Sequence, residues 1–270
     1  MLEWGVTAVR LPLNEQCWAD DRPAVTFETG AAYRAAVDDW VEQLTDGLRA
    51  TPSASSIPFW NSVAETYRKH RAVLFDLFNE PASIYDRDDQ LVFELDWQCW
   101  AAGGCSPPVE AEGDGPLSGR IYPAVGMTEL LSAVRGAGAP QPVLLSGLDY
   151  ANDLRGWAEA APDDDQLIAA VHLYPDQRCA DEACWRSELA LLATVVPLLV
   201  AEFGQSDGGD DQLRRAYEWS REHADGSLAW AWWRIEDGGD EQDARFALVE
   251  GDDFAPRSPS GTALRELLAK

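Results

Sequence analysis

Two short apolar runs in this chain end in a carboxylate. VLFDLFN (Val73–Asn79) is followed by Glu80-Pro81, and PLLVA (Pro197–Ala201) by Glu202-Phe203-Gly204. A third run, LIAAV (Leu167–Val171), leads into His172-Leu173-Tyr174, and Arg10 interrupts TAVRLPL (Thr7–Leu13), which ends at Asn14-Glu15. Runs of this length and composition read as buried strands. A strand buried on both faces needs no polar group at its end, and in a parallel barrel such groups converge on one mouth. Two glutamates 122 positions apart (202 − 80) then suit glycoside hydrolysis. One gives a proton to the leaving oxygen while the other attacks the anomeric carbon. A lone strand-end glutamate reads more simply as a surface carboxylate. The pair, with Asn79 before one and Phe203-Gly204 after the other, favours function.

The elements that must position these groups alternate along the chain. Strands are expected at Thr7–Leu13, Val73–Asn79, Pro142–Gly147, Leu167–Leu173, Pro197–Glu202 and Ser227–Trp233. Helices are expected at Ala31–Leu48, Pro58–His70, about Val125–Ala137, near Trp185–Ala193, Asp211–His223 and Ser260–Lys270. Asn79 to about Tyr122 reads as one long loop, and Glu110–Gly119 and Asp207–Asp211 as solvated coil. No repeat and no linker divides the chain, so residues 1–270 read as one α/β domain with a parallel sheet and helices outside it.

Composition narrows the function classes. The 47 acidic and 21 basic residues leave a formal charge of −26, which repels nucleic-acid backbones, acidic substrates and anionic membrane surfaces. Only Lys69 and Lys270 are lysines. That bias fits a salt-adapted protein and a solvated surface with codon bias equally well. Twelve Trp, eight Phe and seven Tyr exclude disorder as the main state, and no apolar run is long enough to span a bilayer.

Five cysteines are present. Cys99 and Cys105 lie six apart and Cys179 and Cys184 five apart, neither with the spacing of a zinc knuckle nor with a His cluster nearby. Two loop-closing disulfides are the expectation, with Cys17 left over, and they imply an oxidising, extracellular compartment. Met1 runs straight into Leu2-Glu3-Trp4 with no leader pattern, so a removed leader or a start inside a longer gene is expected. The acidic loops Asp207–Asp211 and Glu236–Glu241 lack the EF-hand pattern and read as solvated charge rather than calcium sites. No metal and no cofactor is expected. No GxGxxG, P-loop or nucleophile elbow is present.

WGVTAVRLPLNEQCW (Trp4–Trp18), VLFDLFNEP (Val73–Pro81), GLDYANDL (Gly147–Leu154), VHLYP (Val171–Pro175), VAEFGQ (Val200–Gln205) and LAWAWW (Leu228–Trp233) together resemble glycoside hydrolase family 5. That family belongs to the retaining clan of (β/α)8 barrels with cellulases and mannanases, and the secreted actinobacterial-type members look closest. The resemblance implies Glu80 as acid/base and Glu202 as nucleophile. It implies Asn79 on the sugar 2-hydroxyl, Arg10 beside Glu202, and His172 and Tyr174 lining the site, the tyrosine donating to the nucleophile. Trp232 is implied as the stacking floor, with Trp230 and Trp233 as rivals. Trp18 and Tyr150 are candidate outer platforms.

Two strands of that pattern are not evident. The family's first strand should precede Trp4, and the third, with its site histidine, should follow Leu48. Instead Arg49-Ala-Thr-Pro-Ser-Ala-Ser-Ser56 is polar and broken by Pro52, and no histidine precedes His70. An incomplete (β/α)8 barrel is expected, from a truncated or mis-spliced gene, a degenerate homologue or a compensating rearrangement. The reading is a secreted, monomeric, retaining endo-β-glycanase that hydrolyses β-1,4-glucan, as polysaccharide or oligosaccharide, by double displacement. A non-catalytic carbohydrate-binding relic, or the same chemistry on mannan or xyloglucan, is the alternative.

Overall fold

The computed structural model describes residues 4, 6–8, 10, 13, 50–111, 115–229, 246–250 and 255–269. The expected helix Ala31–Leu48, Val9, Leu11 and Pro12 of the expected strand Thr7–Leu13, and Cys17, Trp18, Trp230, Trp232, Trp233 and the loop Glu236–Glu241 lie outside them. The other four residues of that expected strand, Thr7, Ala8, Arg10 and Leu13, are described and form no strand. The chain divides into two compact units, one of Leu11–Asp149 and Glu159–Gln166, the other of Met1–Arg10, Tyr150–Ala158 and Leu167–Lys270.

In the first unit, helix α1 (Ser56–Tyr67) buries Phe59, Trp60, Val63 and Ala64. This is the spacing of one helical face. The Trp60 indole N–H donates to the Leu77 carbonyl at 2.9 Å, which ties α1 to the run that carries Asn79 and Glu80. Strand β1 is short, Phe75–Asp76, rather than the expected seven residues of Val73–Asn79.

The expected long loop to Tyr122 is instead structured. It holds the hairpin β2 (Ile84–Tyr85) and β3 (Leu91–Phe93), helix α2 (Trp97–Ala102), and the hairpin β4 (Pro108–Ala111) and β5 (Gly115–Ile121). The stretch Glu110–Gly119, expected as coil, is thus mostly strand, because cross-strand backbone pairing supplies what its Gly, Pro and charged residues lack in propensity. Asp96 caps α2 by accepting from the Cys99 N–H at 2.7 Å, and Cys99 is disulfide-bonded to Cys105 as expected.

Helix α3 (Met127–Gly136) packs on α1 through Leu130, Leu131 and Val134, and β6 (Val143–Ser146) is buried throughout and runs parallel to β1. Residues 50–55 form no strand. Ala50 and Pro52 lend their carbonyls to the Ala82 and Val125 N–H groups, and α1 follows at once. The expected absence of a third-strand run therefore holds among the described residues.

One ion pair of this unit bears on stability. Arg135 on α3 grips Asp164 with two parallel hydrogen bonds, 2.7 and 2.9 Å, and also donates to the Ala139 and Gln141 carbonyls. Those Arg135 bonds hold the Asp164 carboxyl below its ordinary value of 3.8; burial opposes them and the Gln166 N–H assists. A depressed carboxylate stabilises fully above its unfolded-state value, and the contribution is lost as pH falls through the lowered folded value. Asp164→Asn is expected to cost about 1–2 kcal/mol at pH 7, a gap that narrows as pH falls below 3.8, as urea unfolding across that pH range checks.

In the second unit, β7 (Leu167–Leu173), β8 (Leu198–Phe203) and β9 (Gly226–Ala229) are parallel neighbours. β7 has its expected bounds, and β8 is shifted by one residue. Apolar residues on both faces of β7 and β8 are buried, as in a sheet covered on both sides.

Helix α5 starts at Glu182, three residues before expectation, and runs through Glu182–Cys184, a π turn at Trp185–Leu189, and Ala190–Leu192. Here α4 denotes the short Trp157–Ala160. The early start comes from Asp181, whose carboxylate caps the Cys184 N–H at 2.9 Å. Helix α6 (Asp211–His223) matches its expected bounds and buries Leu213, Ala216 and Trp219, the last against Trp185 with ring centroids 5.7 Å apart. Strands β10 (Val249–Glu250) and β11 (Ala255–Pro256) pair, and α7 (Ser260–Leu268) packs on α6.

Candidate active site

The carboxyl ends of β7 and β8 carry the polar residues singled out above. His172 lies opposite Glu202 in the β7–β8 register, but the register slips just before this pair. Val171 pairs with Val200 and His172 with Glu202, so Ala201 is an extra residue on β8. Towards β9 the same slip recurs, Val200 opposite Ser227 and Phe203 opposite Ala229. β8 is thus bulged against β7 immediately ahead of Glu202, and against β9 between Val200 and Phe203. Such a bulge re-aims the side chains that follow it.

Glu202 is 5% exposed, and both its oxygens are engaged. The Arg10 guanidinium donates to Oε1 in an ion pair, and the Tyr174 hydroxyl donates to Oε2 at 2.9 Å. His172, fully buried, brings Nδ1 to 3.6 Å from Oε2. A buried carboxylate left alone would cost several kcal/mol, and this one is matched by a cation and a hydroxyl. Tyr174 is itself fixed edge-on against Phe246, centroids 5.5 Å apart. Gly204 makes room for that ring, since a Cβ there would lie 3.1 Å from Tyr174 Cε1 and 3.3 Å from Phe246 Cδ1.

Four of the expected site residues, Arg10, His172, Tyr174 and Glu202, therefore come together in one unit. Asn79 and Glu80 follow β1 in the other unit. Glu80 is half-buried and sits at φ 50°, a left-handed conformation that L-residues seldom hold without a reason. Trp232 lies outside the described residues. Cys179 and Cys184 form the second expected disulfide, which closes the loop after Tyr174. Tyr150, the candidate platform, is half exposed and also left-handed, φ 57°.

Residues without a sequence-assigned role also belong here. The Gln205 side chain, buried, accepts from the Gln212 and Leu213 N–H groups at 2.9 and 3.2 Å and so caps α6 from the loop after Glu202. Its amide donates to Asp207 and Asp211, at 2.8 and 2.7 Å. The Gly209 N–H and Gln205 amide hold Asp207 below its ordinary value, and Gln205 does the same for Asp211, both against desolvation. Asn152 and Gln177 brace the loop after β7. The motifs around all three were visible, but nothing in residue type marked them out.

Parallel strands alternating with helices, with a polar centre at their carboxyl ends, define the (β/α)8-barrel class. The chain belongs to the cellulase family, glycosyl hydrolase family 5, whose family model matches residues 47–238. Its fold is that family's (β/α)8 barrel, some of whose strands are not seen among the described residues. Among curated proteins none matches the chain.

Solved structures share the fold at low identity. The native beta-glucanase from Saccharophagus degradans is 18% identical with a TM-score of 0.65, over 99% of this chain and 79% of that one. An endo-beta-1,4-glucanase from Xanthomonas axonopodis pv. citri, carrying three substitutions, is 17% identical with a TM-score of 0.52, over 80% of this chain and 66% of that one. A hyperthermophilic endocellulase from the archaeon Pyrococcus horikoshii is 17% identical with a TM-score of 0.51, over 79% and 62%. The chain thus spans just under two thirds of the length of the last two.

Proposed function

We propose that this chain is a retaining endo-β-glycanase that hydrolyses β-1,4-glucan by double displacement. The observation that carries the reading is Glu202, a buried strand-end carboxylate engaged by Arg10 and Tyr174 in a chain of the cellulase family. In the first step a Glu202 oxygen bonds to the anomeric carbon, the glycosidic C–O bond breaks, and Glu80 gives its proton to the departing oxygen. In the second, Glu80 takes a proton from water, the water oxygen bonds to the anomeric carbon, and the Glu202 ester is released. Asn79 holds the sugar 2-hydroxyl, and Trp232 stacks on a sugar face. His172 packs beneath the nucleophile.

A beta-glucanase of the same fold, from Saccharophagus degradans, has been solved with cellotetraose. That supports a β-1,4-linked glucose polymer as substrate. Two disulfides support export to an oxidising compartment. The protein acts as a monomer, as one barrel domain.

Reducing-sugar release from soluble β-1,4-glucan and β-mannan, with the anomer formed first followed by proton NMR, tests this reading. Release from glucan with the β-anomer appearing first is expected. The α-anomer first would end the nucleophile role of Glu202, and preferential release from mannan would replace glucan. No release from a folded chain would leave the carbohydrate-binding relic. Gly204→Ala is expected to slow release about 3-fold to 10-fold, because its Cβ displaces the Tyr174 ring by a few tenths of an ångström.

A further inference from the structure

Beneath the Glu202 centre, the loop from Tyr174 to Cys179 is tied at both ends by one buried side chain. Asn152 is fully buried. Its amide nitrogen donates to the His172 carbonyl at 2.9 Å and to Gln177 Oε1 at 3.0 Å, and its oxygen accepts from the Cys179 N–H at 2.6 Å. Backbone groups fix the orientation, since a carbonyl can only accept and an N–H can only donate. Gln177 Oε1 in turn accepts from the Tyr174 N–H at 3.1 Å, so its orientation is fixed in the same way. One amide thereby holds the end of β7 and, through Gln177, the backbone of Tyr174.

Surrounding groups hold Asn152 itself. Tyr150 and Ala151, just before it, are both left-handed (φ 57° and 60°), a conformation that a Cβ disfavours and that recurs where function needs it. Gln177 donates to the Tyr150 carbonyl and Arg178 to that of Asn152, both at 3.3 Å. Arg178 is anchored by two bonds to Glu188, 3.0 and 2.7 Å, and Trp185 donates to the Cys179 carbonyl at 2.8 Å. The Cys179–Cys184 disulfide closes the far side.

We propose that Asn152 is a positioning residue which keeps the Tyr174 hydroxyl on Glu202 Oε2. Its kinetic consequence rests on the reading of Glu202 as nucleophile; its structural consequence does not. Asn152→Ala is the test, read first by carbon-13 NMR of the Tyr174 Cζ, assigned with Tyr174→Phe. The resonance is expected to move towards that of a tyrosine whose hydroxyl faces water, while circular dichroism stays unchanged. In the folded variant kcat falls about 10-fold, the size of one weakened hydrogen bond to a charged group, and KM stays within about 2-fold. On a Tyr174→Phe background the same change costs less than about 2-fold, because the bond it serves is already gone.

An unmoved Tyr174 resonance in a folded variant, or losses that multiply in the double variant, would overturn the proposal. If Asn152→Ala does not fold, the half-buried Gln177→Leu must give the same displacement of the resonance, and its failure to do so overturns the proposal equally. A wild-type chain that releases no sugar counts against the nucleophile reading alone, and the resonance still decides the role of Asn152.

Discussion

Glu202→Gln is expected to lower release of reducing sugar from β-1,4-glucan by about 10⁴-fold or more while the chain stays folded. The substitution keeps the shape of the side chain and removes the one property the first step needs, a carboxylate oxygen that can bond to carbon. The amide oxygen can still accept from Tyr174, so the Tyr174–Phe246 contact is undisturbed. Loss of the ion pair with Arg10 weakens the fold, which is why the variant must be shown folded by circular dichroism before its activity is read. A folded variant that keeps a tenth of wild-type release would remove Glu202 from the mechanism.

The second large effect falls on stability. Arg10→Met strips the buried Glu202 of its cation, and breaking a buried pair from one side costs about 3–5 kcal/mol. Arg10 retains 23% side-chain exposure against 7% for Glu202, so water replaces part of the loss and the lower end, about 3 kcal/mol, is expected. Urea unfolding measures it. The double variant with Glu202→Gln should be more stable than Arg10→Met alone, since it holds no orphaned charge. If the two substitutions instead add, the pair contributes nothing specific and Arg10 acts only through its packing.

How much of this was legible in the sequence depended on what held each piece in place. β7 and α6 could be bounded to the residue because the signals are local: an unbroken apolar run in one, Leu213, Ala216 and Trp219 on one helical face in the other. The pair Pro108–Ala111 with Gly115–Ile121 could not, because pairing between the two strands makes it, and EAEGDGPLSG has the composition of coil. The short β1 shows the reverse case, an apolar run most of which does not pair. Within the site, Arg10, His172, Tyr174 and Glu202 were found through strand-end polarity and the family motifs. Asn152 was not, because its role depends on left-handed turns at Tyr150 and Ala151, residues whose types do not predict that conformation.

The slip of β8 against β7 at Ala201 has a consequence for how this centre can change over generations. The extra residue lets the ladder to β7 resume with Glu202 opposite His172, and it bends the strand just ahead of that pair. Loss of one codon at Ala201 would leave Val200 and Glu202 adjacent, opposite Val171 and His172 in an unbroken ladder, and would remove the bend that aims the carboxylate at Arg10 and Tyr174. Many side chains small enough for that buried position leave the count intact. What descent must preserve there is a number rather than an identity, so the centre tolerates substitution at Ala201 far better than it tolerates an indel.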